Sequence, residues 1–309
     1  MDIQKILIIK LNELDVKIAF LLTFLLAINF VHRQPIYSVQ GVFKGHSAQG
    51  MAICNDYAFL LNDSGLCRIY DLKKKEVLCD FPLKSANPRN HANSASFGIE
   101  YSDSNSQYPA LYISECRIPS RCFVEDVTLG SSRLIQILRF EKNGKSALVH
   151  TWIVDAISRK LYGLTSRKNQ NGGTYILVRR FRLPSLSEGD IVFTEKDIEE
   201  EFDILISNLL QGGTIRDNIL YLPMGLHGKG DTEISERAIV LIDLIQRKVI
   251  DKIVLNDLTK NEPEDVDFYG GELLMYCGQQ GGLWKIKQVK NIMNRDSVSY
   301  THLRAHETE

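Results

Sequence analysis

The sequence predicts an all-β fold: a β-propeller of five blades, each with four antiparallel strands, its ring closed by an N-terminal strand. Three observations predict it. A Leu-Tyr or Phe-Leu strand core recurs at Tyr57–Leu61, Ala110–Ile113, Lys160–Leu164, Ile219–Leu222 and Glu272–Tyr276. The steps from Ala58 to Leu111, Leu161, Leu220 and Leu273 are 53, 50, 59 and 53 residues. Short alternating strands with turn signals between them mark an all-β chain, and four strands per repeat of about 50 residues match a propeller blade. A lone sheet of this kind exposes two apolar faces, and radial packing of blades buries both.

Each repeat is read in order. The first strands are QGMAICND, ASFGIEYSDSN, IVDAISR, QGGTIRDN and PEDVDFYGG. After the Leu-Tyr core come the third strands LCRIYDL, SRLIQILRF, YILVRRFRL, AIVLIDL and GLWKIK. EVLCDFPL, SALVHTW, GDIVFT and KVIDKIVL are read as fourth strands, and the last repeat has none. The segment Ile36–Phe43 is a free strand upstream, and its expected place is in the last blade, closing the ring. Glu195–Leu210 reads differently. Ile198, Phe202, Leu205, Ile206 and Leu209 fall at helical spacing behind an acidic first turn, which predicts a short helix between blades three and four.

Composition excludes several classes. The chain has 309 residues, 37 Lys+Arg against 38 Asp+Glu, and 44% hydrophobic residues. It is neither a disordered tail nor a multi-span membrane protein, and near-neutral charge argues against a nucleic-acid partner. Residues 1–34 carry the apolar run Ile18–Val31 behind Lys17, the layout of a secretory signal or an over-extended leader. Fourteen residues fall short of a comfortable membrane span, so a stable span is not expected. The propeller is expected over 35–297, exported to the periplasm or secreted, as a monomer. Residues 298–309 resemble a translated sequencing adapter, so His302 and His306 are given no metal role.

Six cysteines suit an exported chain, and Cys116 and Cys122 are the expected disulfide across the RIPSR loop. Buried free thiols are the alternative for Cys54 and Cys277. No cofactor or metal is expected. Asn62–Gly65 and Asp103–Ser106 have the composition of calcium loops and equally of plain turns.

In a propeller the innermost strands line the channel, so the residues opening them are the ligand candidates. They include His46, Gln49, Asn93, Gln211 and Glu264. Amide side chains offer donors and acceptors together, and glycine beside glutamine lets backbone approach closely.

Ser38–His46, Ala48–Met51, Leu66–Leu72, Leu161–Thr165 and Asn261–Asp267 with Gly271–Leu273 resemble the glutamine cyclotransferase propellers, a quinoprotein-like fold. The resemblance implies a five-bladed ring and closure of an N-terminal glutamine onto itself with release of ammonia. It would give the acid–base role to Glu100 and Glu262, should the chain be an enzyme. The family's Phe-Gly-Glu-Gly is here Phe97-Gly98-Ile99-Glu100, which moves the carboxylate one residue and to the other strand face. Three readings stand open. The first is a non-catalytic module binding a small polar ligand or a peptide terminus. The second is a glutamine-cyclising aminoacyltransferase, with a carboxylate beside Gln49. The third is a protein scaffold with a plugged channel and an apolar rim.

Overall fold

The computed structural model describes residues 48–168, 174–206, 210–225, 236–256, 261–278 and 282–286. The leader 1–34, the strand Ile36–Phe43, His46 and the tail 298–309 lie outside the described residues. No helix among the described residues is long and apolar enough to cross a membrane.

The chain is a five-bladed β-propeller. Blade 1 holds β1 (Ala48–Cys54), β2 (Tyr57–Asn62), β3 (Leu66–Asp71) and β4 (Glu76–Pro82), in that spatial order. Blade 2 holds β5 (Ala92–Phe97), β6 (Leu111–Glu115), β7 (Cys122–Val127) and β8 (Ser132–Lys142), and the short β9 (Lys145–Ser146) folds back on β8. Blade 3 holds β10 (Thr151–Asp155), β11 (Lys160–Lys168), β12 (Thr174–Arg182) and β14 (Glu200–Ile206), while β13 (Ile191–Phe193) leaves it to pair with β8. Blade 4 holds β15 (Thr214–Arg216), β16 (Ile219–Met224), β17 (Ala238–Asp243) and β18 (Lys248–Val254). Blade 5 has three described strands, β19 (Pro263–Tyr269), β20 (Glu272–Cys277) and β21 (Leu283–Ile286).

Five apolar clusters fill the ring, one in each seam between neighbouring blades. The seam between blades 1 and 5 packs Met51, Leu60 and Tyr70 on Leu274 and Tyr276, so the two ends of the ring meet. Alternation along each strand sends successive side chains to opposite seams. Trp152 enters the cluster with blade 2, and Ile153 enters the cluster with blade 4. Gly163, paired opposite Trp152, sits close under its neighbours: a Cβ there would fall 3.2 Å from Val149 Cγ1 and 3.4 Å from the Phe181 and Trp152 rings.

The turns repeat as well. Asp71, Asp155 and Asp243 each end a strand and accept, through Oδ1, the N–H groups two and three residues ahead. The residue four positions after each aspartate, Lys75, Arg159 or Arg247, has φ near +60° and swings the chain into the next strand. Asn143-Gly144 and Asp217-Asn218 have positive φ at both positions, the geometry of two-residue hairpins.

Four expectations are corrected. The described part of the segment Glu195–Leu210, which leaves out 207–209, holds no such helix: Glu195–Asp197 is one 3-10 turn and Glu200–Ile206 is the fourth strand of blade 3. Its period is two. Phe202, Ile204 and Ile206 face the seam, whereas Leu205 is 69% exposed. The acidic residues answer basic ones on blade 3: Glu201 pairs with Arg179, and Glu199 with Lys160 and Arg180.

The segment GDIVFT is correspondingly not blade 3's fourth strand. Its residues Ile191–Phe193 run parallel to Leu138–Phe140 on the edge of blade 2. In blade 2, Cys122–Val127 is the third strand and SRLIQILRF the fourth. The segment SALVHTW divides, with Ser146 closing a hairpin and Thr151-Trp152 opening blade 3.

The disulfide is absent. Cys116 and Cys122 are not bonded to each other: Cys122 points into the apolar seam between blades 2 and 3, and Cys116 follows the end of β6. Burial pushes the Cys116 thiol up to about 11.

Candidate functional site: the ring mouth

Each inner strand begins at one face of the ring. At that face, β1, β5 and β19 each carry a one-residue bulge opposite their second strand. The register shifts fall between Ala48 and Met51, between Ala92 and Ser94, and between Pro263 and Asp265. The residues inside these bulges include Gln49, Asn93 and Glu264, three of the ligand candidates. A bulge re-aims its side chain away from the pleat, so these three leave the seams at equivalent points of their blades. Gly50 follows Gln49 where a Cβ would lie 2.9 Å from the Ala92 carbonyl oxygen, so blades 1 and 2 approach backbone to backbone there.

A chain of hydrogen bonds links the other blades around the mouth. Asn93 Nδ2 donates to Thr151 Oγ1 at 2.9 Å, and Thr151 Oγ1 donates to the Gln211 carbonyl at 3.0 Å. Gln211 Nε2 donates to Glu262 Oε1 at 2.5 Å and to the Gly225 carbonyl at 3.2 Å. The Gly212 N–H donates to the Glu264 carbonyl at 2.7 Å. Blades 2, 3, 4 and 5 are thereby tied by the side chains that open their inner strands.

One layer below, the Asp265 carboxylate occupies the junction of four blades. Its Oδ2 accepts from Met51 N at 2.8 Å and Ala95 N at 3.2 Å; its Oδ1 accepts from Gly213 N at 2.6 Å and Val266 N at 2.9 Å. Burial pushes this carboxyl up, and the backbone N–H groups pull it back down. Farther along, Asp267 accepts from Ile53 N, Phe268 N and Thr214 Oγ1, and burial pushes it up to about 6. Asp265 follows the candidate Glu264 directly, but its oxygens are spent on the blades.

Electrostatics single out Glu264. Its side chain is nearly sealed, and burial first, then the charges of Glu262 and Asp265, push its carboxyl well above the ordinary range. Two imidazoles stand at the same face. Burial, with Arg117 second, pulls His91 down; burial alone pulls His150 down. His150 Nδ1 accepts the Ser166 N–H at 2.9 Å, which leaves its Nε2 as the donor.

Several buried polar atoms at this face have no partner among the described residues: Gln49 Oε1, Asn90 Nδ2, His91 Nδ1, Ser94 Oγ and Tyr276 Oη. A buried polar atom without a partner costs roughly 1–3 kcal/mol, so such atoms are rare and call for a cause. These five are among twelve such atoms in the described residues; others, Asn62 Nδ2, Ser120 Oγ and Trp284 Nε1 among them, are spread over the blades. Both donors and acceptors are among the five, which suits a polar ligand carrying both.

The structure thus brings Asn93, Gln211, Glu262 and Glu264 into one bonded group, with Gln49 at the matching position of blade 1. Glu100 is not part of it. It follows the far end of β5, where Oε2 accepts from Ser185 Oγ and Leu186 N, both at 3.0 Å, and holds the strap that leads to β13. The residue shift along the strand has made it a structural anchor. Asn62 and Asp103 close turns: Asn62 Oδ1 accepts from Ser64 N and Leu66 N, and Asp103 binds Asn105 N and Arg133. No cluster with the makings of a metal site occurs among the described residues. Sequence reasoning missed Thr151, His150 and Tyr276. Thr151 is hidden in the sequence because the run SALVHTW reads as one strand, whereas its last two residues open blade 3. Tyr276 was hidden because it lies on a second strand.

No protein-family model and no curated protein matches the chain. Among solved structures, hydrazine synthase of Kuenenia stuttgartiensis is similar at 12% identity and a TM-score of 0.38, over 74% of this chain and 55% of that one. The chain spans about half the length of that neighbour, and a likeness at this level carries no functional argument.

Proposed function

We propose that this propeller is a non-catalytic recognition module that holds a small polar ligand or a peptide terminus at the ring mouth. The observation that supports it is the group of buried, unpartnered polar atoms around Gln49, Asn90, Ser94 and Tyr276. A ligand that completes their hydrogen bonds recovers the desolvation cost of burying them. The test is a thermal-shift screen of the full chain against amino acids, sugars and short peptides with free or blocked termini. A binder raises the melting temperature of the wild type and leaves Gln49→Leu unmoved. A folded chain that responds to none of these compounds retires the reading.

A second reading, the glutamine-cyclising aminoacyltransferase, draws on the resemblance and on the Glu262–Glu264 pair. One carboxyl is held toward its protonated form while its neighbour accepts from Gln211, a division suited to acid–base work. Incubation with an N-terminal glutamine peptide, read by mass, tests it: ammonia is lost with the wild type and retained with Glu264→Gln. The scaffold reading draws on the Asp265 junction and on the exposed Val77, Leu78, Val249 and Ile250 of outer strands β4 and β18. Export and a monomeric state complete the proposal, resting on the Ile18–Val31 run and on the closed seam between blades 1 and 5. Cell fractionation and sedimentation test these two points.

A further inference from the structure

Arg237 stands just before β17 and is only 7% exposed. Its backbone extends the strand: its carbonyl accepts the Leu255 N–H at 2.8 Å, and its own N–H donates to Asn256 Oδ1 at 2.8 Å. Leu255 opposite it and Ile239 two residues on both lie in the apolar cluster between blades 4 and 5. Alternation therefore turns the Arg237 side chain to that seam, at its mouth end. The stem crosses Gly225, where a Cβ would fall 2.9 Å from Arg237 Cγ. The Gly225 carbonyl accepts from Gln211 Nε2 at 3.2 Å, so the stem rests on the residue that holds Gln211 in the mouth. On the far side of Gln211, Glu262 Oε1 is taken up by the same Nε2 at 2.5 Å.

Arg237 Nε is buried without a hydrogen-bond partner, and no ion pair of this guanidinium occurs among the described residues. Arg179 shows what the chain does with a guanidinium sheltered to a similar degree. It is 3% exposed, its Nε meets Glu201 Oε2 at 2.6 Å, and its Cζ lies 4.7 Å from the Phe140 ring centroid. A buried cation is ordinarily matched in this way, because its desolvation is otherwise uncompensated. The other unpartnered polar atom of the blade 4–5 seam, Trp284 Nε1, is likewise a donor. The seam thus lacks an acceptor. The Nε edge of a guanidinium presents two parallel N–H groups at the spacing of carboxylate oxygens. We propose that Arg237 is a carboxylate subsite of the ring mouth, taking the acid group of the bound ligand. This rests on the recognition reading above and names the charged group of its ligand.

The experiment is calorimetry of the full chain with acetyl-Ala-Ala, with the same dipeptide as its C-terminal amide, and with propionate, all near neutral pH. A peptide C-terminus and a free acid share the carboxylate, and the first and third compounds tell them apart. The expected result is binding of at least one acid, with the amide at least about tenfold weaker than the dipeptide acid if that is the one bound. Arg237→Met keeps the stem and removes the charge. It should melt no lower than the wild type and bind the acid at least about tenfold more weakly. Equal affinity for dipeptide acid and amide overturns the subsite and leaves recognition standing. So does unchanged acid binding by Arg237→Met. A lower melting temperature or failed folding of that variant also overturns it, because the guanidinium would then be matched within the chain. Silence toward both acids in a chain that binds an uncharged compound through Gln49 overturns the subsite alone. Silence toward every compound overturns both.

Discussion

Asp265 Oδ2 accepts the Met51 N–H at 2.8 Å and so joins the last blade to the first across 214 positions of sequence. The same carboxylate takes N–H groups from Ala95 and Gly213, which makes one side chain the meeting point of blades 1, 2, 4 and 5. Ring closure among the described residues is thus polar at the axis and apolar in the seam, where Met51 and Tyr276 pack in one cluster.

Asp265→Asn exchanges one acceptor oxygen for an NH2 group that must face backbone donors. It should lower stability by about 2–4 kcal/mol, the cost of leaving buried partners unsatisfied. Gly212→Ala should act on the same junction, because its Cβ would fall 2.2 Å from Asp265 Oδ1. Urea unfolding of both variants checks this. Losses under about 0.5 kcal/mol, the level of an indifferent surface change, would show that the junction is dispensable.

Asp267 sets a pH dependence. Its folded-state value, about 6, lies above the ordinary 3.8, so the folded chain binds more protons than the unfolded one between those limits. Stability from this group is full below about pH 4 and falls by up to about 3 kcal/mol as pH rises to about 6. Asp267→Asn removes the titration. Urea midpoints at a series of pH values should show the wild type losing ground to the variant across that window, and a constant gap would refute it.

Gln49→Leu removes a buried acceptor that has no partner. The free protein should be as stable as the wild type or up to about 1–2 kcal/mol more so, while binding at the mouth is lost. Calorimetric melting with and without ligand reads both effects. A variant that melts lower and still binds would assign the amide a purely structural part.

The strand identity of Glu200–Ile206 has a sharp signature. Leu205→Glu changes an exposed position and should shift stability by less than about 0.5 kcal/mol. Ile204→Glu puts a carboxyl into the seam with blade 4 and should cost several kcal/mol. Similar losses at the two positions would restore a helix-like burial pattern.

Much of the fold was legible in the order of residues. The strand cores that recur five times, the Asp-capped turns of three blades and the alternation along β1, β2, β16 and β20 are local properties, and each is set by strand and turn chemistry alone. The second strands and most third strands stand where the repeat placed them. Glu200–Ile206 was not legible, because Phe202, Leu205 and Ile206 satisfy a helical count and an alternating one in the same seven residues. Only the neighbouring Arg179, Arg180 and Lys160 decide between them. Ile191–Phe193 was misassigned for a related reason: a short apolar strand does not state which sheet edge it will pair with.

The site divides in the same way. Gln49, Asn93, Gln211 and Glu264 were found from sequence because they open inner strands, a position the repeat period determines. Whether such a residue faces a ligand or a neighbouring blade depends on contacts between segments far apart in the chain. Asp265 follows Glu264 directly, yet one is spent on four backbone N–H groups and the other is left in a bulge beside Glu262 and Tyr276. The sequence by itself determined the blade, its turns and the order of the ring. The tertiary structure decided which polar groups were satisfied, since a hydrogen bond between blades requires two inner strands to arrive together, and a local pattern carries no record of that meeting.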